Sequence, residues 1–387
     1  MLQPIENRRD LARHLQAQME ASRYSVAHEL DDEAEGKNSV KTYLLEAHTV
    51  EKAGDDPVEI LSQLGKTLGF QTAATGDQDL VTLRDGDHDF WCDTSLKRYW
   101  RLHAMAPVKL ADKLTDRLVS GTTRLDRVWL APNYLENLSK VLGGRLQTFS
   151  LRHDRRKMRA DEDEYNELDF VSMRLWSSRA HETLGKLRKA AVFPHGMSVR
   201  SVQVRREIDD HPSEYAVAEF FQDGKVTASG TSFDLHSDSL LLILTDYRKV
   251  VTAIEDRFGI GVEPHGPRGK GATLTGEPFT IEIKWTTPSL EYTVGKIFSS
   301  VEPFRLWGIP QKVGPDHFRA RAVDLHVGAM LTFDITPKHV VIQLPRGACG
   351  NTIVRFLSAL QYHLNSDVAD DLYTSGVGPW NSRTLAS

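Results

Sequence analysis

The second half of this chain is written twice, so whatever fold it adopts must satisfy one pattern two times over. Around one tryptophan the sequence reads Leu175-Trp176-Ser177-Ser178, followed by Glu182 and Gly185-Lys186-Leu187. Around another it reads Lys284-Trp285-Thr286-Thr287, followed by Glu291 and Gly295-Lys296-Ile297, an offset of 109 residues that slips to 110 at the Gly-Lys pair. Further on, Ser232-Phe233-Asp234-Leu235 matches Thr332-Phe333-Asp334-Ile335, and Leu240-Leu241-Leu242 with Leu244 matches Val340-Val341-Ile342 with Leu344, at an offset of 100. Two matches in the same order, joined by a change in loop length, indicate a duplicated unit of about ninety residues.

Hydrophobic periodicity parses each copy as strand, helix, four strands, helix, a β-α-β-β-β-β-α order. Repeat 1 spans 169–265, with strands expected at 169–176, 199–206, 214–222, 225–233 and 239–245, and helices at 179–191 and 246–258. Repeat 2 spans 279–365, a glycine-rich linker at 266–278 joins the two, and 366–387 form a tail. Each copy alone would leave a strand edge open. The expected arrangement is therefore an α+β fold in which the two tandem repeats form one curved antiparallel sheet with helices on one face.

Before the repeats, residues 1–150 read as an acidic α/β or α+β domain. Helices are expected at 4–22, 57–68, 107–119 and 132–142, strands at 40–48, 80–84, 89–93, 99–103, 127–130 and 146–153. The turn Asp85-Gly86-Asp87-His88 would close a hairpin, since these are tight-turn residues, although its acids would also suit a hard metal. Residues 151–168 form a charged linker, basic at Arg152, Arg155, Arg156 and Lys157 and acidic from Asp161 to Glu164.

Charge follows the same divisions. Residues 1–100 hold 11 Lys/Arg against 19 Asp/Glu, residues 101–206 hold 21 against 12, and the remainder 16 against 22, so a basic middle (+9) lies between acidic flanks (−8 and −6). Arginine supplies 30 of the 48 cationic residues, and its planar fork suits phosphate. Residues 1–20 carry six charged side chains where a signal peptide needs an apolar run, and the chain contains no apolar stretch of membrane-spanning length. A cytoplasmic protein is expected, and the abundance of Arg, Ala and Asp suggests a GC-rich bacterial genome. The two cysteines, Cys92 and Cys349, lack metal-ligand spacing, so both are expected as buried free thiols, with no zinc and no cofactor.

The order of elements at 168–364, and its duplication, resembles the saddle of the TATA-box-binding protein family over roughly half the chain. Phe221-Gln222-Asp223-Gly224-Lys225-Val226-Thr227-Ala228-Ser229-Gly230 is similar to that family's hairpin, although here a further strand is expected before the helix. No intercalating pair of phenylalanines is placed in the second copy. The resemblance implies a sheet that binds the minor groove of DNA.

The candidate contacts lie on strands of this sheet. In Val199-Arg200-Ser201-Val202-Gln203-Val204-Arg205, alternation puts Val202 and Val204 inward and Ser201, Gln203 and Arg205 on the opposite face. In the second copy Arg319 and Arg321 point one way while Phe318, Ala320 and Ala322 point the other. Arg152, Arg155, Arg156, Lys157, Arg200, Gln203, Arg205, Arg319 and Arg321 are the expected nucleic-acid contacts, because an open sheet bearing Arg and Gln can reach phosphates and base edges. A solvated sheet face without ligand has the same composition.

Gly266-Pro267-Arg268-Gly269-Lys270-Gly271 departs from the phosphate-loop pattern, with Pro264 at the required first glycine and no Ser or Thr after Lys270, and reads as linker. Ile281-Glu282-Ile283-Lys284 places Glu282 and Lys284 on one strand face, as metal-dependent nucleases do, but the required upstream acid has no well-placed candidate. The leading expectation is a non-enzymatic nucleic-acid-binding protein for DNA or RNA, possible as one subunit of a bacterial multi-protein system. A protein-binding adaptor, with the N-terminal domain available to a partner, and a nuclease are the alternatives.

Overall fold

The computed structural model describes residues 5–22, 39–154, 170–177, 179–189, 198–265, 271–285, 289–365 and 368–370. In chain order the elements are α1 (Arg8–Ser22), β1 (Val40–Glu46), α2 (His48–Lys52), α3 (Pro57–Leu68), β2 (Gln71–Ala74), β3 (Leu80–Asp85), β4 (His88–Leu96) and β5 (Tyr99–Ala104). Next come α4 (Val108–Ser120), β6 (Asp126–Arg127), α5 (Pro132–Val141), β7 (Arg145–Asp154), β8 (Phe170–Trp176), α6 (Ala180–Lys189), β9 (Ser198–Ile208), β10 (His211–Phe221) and β11 (Lys225–Gly230). They are followed by α7 (Phe233–Phe258), β12 (Gly259–Pro264), β13 (Ala272–Thr275), β14 (Phe279–Glu282), α8 (Leu290–Ile297), β15 (Leu306–Gly308) and β16 (Gln311–Gly314). The chain closes with β17 (His317–Asp324), β18 (Met330–Ile335), β19 (His339–Pro345), α9 (Asn351–His363) and β20 (Ala369–Asp370). The fold class is α+β.

Two compact units result, and they interleave along the chain. Unit 1 gathers Met1–Val128, Leu138–Thr148 and Ser201–Thr245; unit 2 gathers Trp129–Asn137, Phe149–Arg200 and Asp246–Ser387. The boundary expected near residue 150 is thus crossed by β9, β10 and β11, which belong with the N-terminal residues.

Unit 1 is built on a sheet in the order β2-β3-β4-β5-β1-β11-β10-β9-β7. Strand β1 is its pivot, pairing antiparallel with β5 on one side and β11 on the other. One face of β1, β4 and β5 packs Tyr43, Leu45, Phe90, Trp100 and Leu102 against Ile60, Leu61 and Leu64 of α3 and Leu114 and Leu118 of α4. Each such side chain contributes about 1.5–3 kcal/mol when fully buried. Helix α3 has the local signals its sequence promised: Asp56 accepts from Val58 N at 2.9 Å, Pro57 opens the helix, and Gly69 closes it at φ 81°. The Asp85–His88 turn is a tight hairpin turn, with Asp85 opposite His88 and Gly86 at φ 61°.

Unit 2 is built on a sheet in the order β13-β12-β19-β18-β17-β15, with β14 also against β19 and β16 against β17. Helix α9 is buried along its whole length despite its polar residues. Two of those residues, Thr352 and Arg355, share one buried carboxylate. Arg355 and Asp324, both fully buried, form an ion pair at 2.5 Å; Thr352 donates to the second Asp324 oxygen, and Arg355 Nε donates to the Phe304 carbonyl at 3.0 Å.

The expected β-α-β-β-β-β-α order is present at 279–363, where β14, α8, β15 with β16, β17, β18, β19 and α9 follow one another and β14 pairs back onto β19. A similar order, with the short α2 added before α3, occurs in residues 40–120, where β1, α2, α3, β2, β3, β4, β5 and α4 follow one another and β1 pairs back onto β5. The first copy expected from the sequence departs from it. Only three strands, β9, β10 and β11, separate α6 from the next helix, and β11 is bonded to β10 and β1.

The strand expected at 239–245 is therefore corrected to helix. Leu240, Ile243, Leu244, Tyr247, Val250, Val251 and Ile254 are buried at three- and four-residue spacing, the signature of one long helix. Phe233 lies in α7 while Phe333 lies in β18, so the second of the two matches joins unlike elements. In the first copy the tetrapeptide starts a helix, with the Ser232 hydroxyl accepting from Leu235 N at 3.3 Å and Gln16 accepting from Phe233 N. In the second, Thr332 to Ile335 alternate between half-buried and buried as a strand requires. The Trp176 and Trp285 match fares better, since Trp176 ends β8 and Trp285 follows β14, each ahead of a helix whose first turn carries the matched Glu182 or Glu291.

Candidate nucleic-acid interface

The open face of the unit 2 sheet follows from period-two alternation. On β17, Phe318, Ala320 and Ala322 are buried, while Arg319 and Arg321 are exposed, as the sequence implied. Register then sets their neighbours. Arg321 lies opposite Thr332, which lies opposite Gln343, giving a polar row across three strands. The adjacent row holds Trp307, Val323 and Met330, with Trp307 55% and Met330 49% exposed. Directly opposed side chains on one face are about 4.5–5.5 Å apart and diagonal ones about 7–8 Å, so the indole and the Arg321 guanidinium can serve one ligand.

Arg319 is engaged with Asp334 at 2.9 Å, and His317 reaches the same carboxylate at 3.1 Å. An exposed pair of this kind contributes about 0–1 kcal/mol, so a phosphate can compete for Arg319. Arg321 has no ion-pair partner among the described residues.

The other expected contacts are dispersed. Arg200 is half-buried in unit 2. In unit 1, Gln203 accepts from Thr148 at 3.1 Å, and Arg205 stacks over Tyr215 at 3.9 Å and pairs with Glu207 at 3.0 Å. Ser201, expected on the open face, is buried and donates to Glu219 at 2.6 Å, because both faces of β9 are covered at that position. Arg152 lies over the Phe170 ring at 5.1 Å. Arg155, Arg156 and Lys157 fall outside the described residues, as do 266–270 of the glycine-rich linker. The candidate site thus contracts to the β17 arginines and their surroundings. Glu282 and Lys284 are both exposed, and the cross-strand neighbours of Glu282 are His339 and Ala369.

Sequence reasoning missed two polar features of unit 1. A cleft of about 660 Å³ runs between α1 and strands β2–β4, lined among others by Glu6, His14, Arg84, Asp89 and Trp91. Arg84 and Asp89 hold each other by two hydrogen bonds at 2.6 and 2.8 Å, leaving this cleft without a committed ligand chemistry. Deeper in, the Thr42 hydroxyl lies 3.0 Å from His103 Nδ1 and 3.3 Å from His236 Nε2. Burial, reinforced by the Arg101 charge, pushes the His236 imidazole down to about 3 and holds His103 well below its usual range, so both rings are neutral. Nothing in a single sequence marks two histidines so far apart as neighbours. Cys92 and Cys349 are buried and free, as expected, and burial pushes the Cys92 thiol up.

A family model for MJECL33-like proteins matches residues 1–373. The chain belongs to this family. A relative from Methanocaldococcus jannaschii, described as "Uncharacterized protein MJECL33", is 25% identical over 398 residues, covering 94% of this chain and 93% of the relative. The match to the family takes in both units together, without reference to the TATA-box-binding proteins. That relative comes from an archaeon and lends no support to the bacterial source suggested by composition. No solved structure matches the chain. Among the described residues no helix is long and apolar enough to cross a membrane.

Proposed function

We propose that this member of the MJECL33-like family is a non-enzymatic nucleic-acid-binding protein whose platform is the open face of β15, β17, β18 and β19. The observation that carries the reading is the exposed Arg321 beside the exposed Trp307 on one sheet face. Arginine supplies charge for phosphate, while an exposed aromatic supplies a stacking surface; together they suit unpaired bases, which stack on sheet aromatics for about 1–3 kcal/mol each. Thr332 and Gln343 add donors and acceptors in the same row.

Anisotropy titrations with single-stranded and duplex DNA and RNA at two salt concentrations test this. Wild-type protein should bind single strands, with a logarithmic salt slope of about 0.7 per phosphate contact. Arg319→Ala with Arg321→Ala should weaken binding and flatten the slope. Trp307→Ala should weaken binding at an unchanged slope, because stacking releases no counterion. Absence of affinity for every nucleic acid at low salt would remove the reading, and a protein-binding adaptor, using the Trp307, Val323 and Met330 strip, would take its place.

A further inference from the structure

Lys41 is the most anomalous residue in unit 1. It is the second residue of β1, opposite Ala104 of β5 and Thr227 of β11, and is fully buried. Among the described residues its Nζ meets no hydrogen-bond acceptor. A buried ammonium without a partner carries a desolvation cost that most proteins relieve by neutralising the group. The surroundings press the same way. Lys225, two residues along β11 from Thr227, shares the face; Asp112 of α4 is the nearby anion, and it is taken by Lys225 Nζ at 3.0 Å and by the Tyr43 hydroxyl at 2.6 Å. Burial first, then Lys225, against an opposing pull from Asp112, bring the Lys41 amine down to about 8. A desolvated lysine beside a second cation is the arrangement that yields a nucleophilic amine.

We propose that Lys41 is a carbon dioxide site, carbamylated at Nζ. The enclosure selects the reagent, because a side chain with no exposed surface excludes bulky electrophiles, whereas carbon dioxide is small and uncharged. The Nζ lone pair forms the N–C bond, one C=O π pair moves onto oxygen, and an Nζ proton leaves to solvent, so amine and carbon dioxide give carbamate and a proton. The product reverses the local electrostatics. Lys225, which repels the ammonium of Lys41, attracts the carbamate.

The test uses the full chain. With ¹³C-bicarbonate near pH 8, a carbamate carbon signal distinct from bicarbonate should appear and vanish when carbon dioxide is purged. A correlation between the carbamate carbon and a lysine Nζ in ¹⁵N-lysine-labelled protein should show that the adduct is on a lysine side chain. Lys41→Met should abolish the signal, and Lys225→Met should reduce occupancy several-fold. Absence of a carbon-dioxide-dependent signal in folded wild-type protein overturns the proposal, as does an undiminished signal in folded Lys41→Met. Should Lys41→Met fail to fold, Lys41→Arg, which keeps the cation but has no amine that carbon dioxide adds to, takes its place.

Discussion

The Thr42, His103 and His236 cluster gives single residues a measurable effect on stability. Both rings are neutral in the folded protein and titrate near 6.5 when unfolded. Below pH 6.5 the unfolded chain therefore binds more protons than the folded one, and stability falls as pH falls until the folded values are reached, about 3 for His236. Each histidine should contribute a slope of about 1.4 kcal/mol per pH unit within that window. Urea denaturation at pH 6.5 and at pH 5 should show His236→Gln with a shallower loss than wild type, by about one such histidine. An identical loss in both proteins would mean that His236 is already charged when folded.

At the scale of elements, α7 separates two readings that a short window confuses. Leu240-Leu241-Leu242 with Leu244 suits a buried strand if only 239–245 are read, and it suits a helix only when the spacing continues to Phe258. The two assign Leu242 differently. In a strand it would share a face with Leu240 and Leu244, but in α7 it is 42% exposed while both of those are buried. Leu242→Gln should accordingly change stability within about 0.5 kcal/mol, whereas Leu240→Ala should cost about 2–5 kcal/mol. Equal losses in chemical denaturation would favour the strand. The contrast also shows which parts of the fold could be read in advance. Helix α3, the hairpin of β3 and β4, and the outward Arg319 and Arg321 carry strong local signals in caps, turn residues and alternation. Strand β2 reads Gln-Thr-Ala-Ala and has no such signal, since pairing with β3 makes it a strand. Lys41 looks like an ordinary outward residue between Val40 and Thr42, and only β5, β11 and α4 determine that it is enclosed.

The whole molecule is harder to divide than its sequence suggests. Because β11 is bonded along β1, a fragment comprising 1–150 would present the hydrogen-bonding groups of Val40 to Tyr43 at an open edge. Such a fragment should aggregate or unfold without cooperativity, while the full chain melts cooperatively; light scattering and calorimetry on both proteins distinguish the outcomes. A soluble fragment with a sharp transition would show that β11 is dispensable to the N-terminal core.

The pairing of Val40 with Ala228 also imposes a waiting time during synthesis. At about 5–20 residues per second, β1 leaves the ribosome roughly 10 to 40 s before β11 does. Strand β5 arrives early and can cover one side of β1, but the other side stays unmatched for the whole interval. A nascent-chain chaperone that shields strand edges should therefore raise the soluble yield of this protein more than its modest hydrophobic content would suggest, and slowing translation after β5 should lower it.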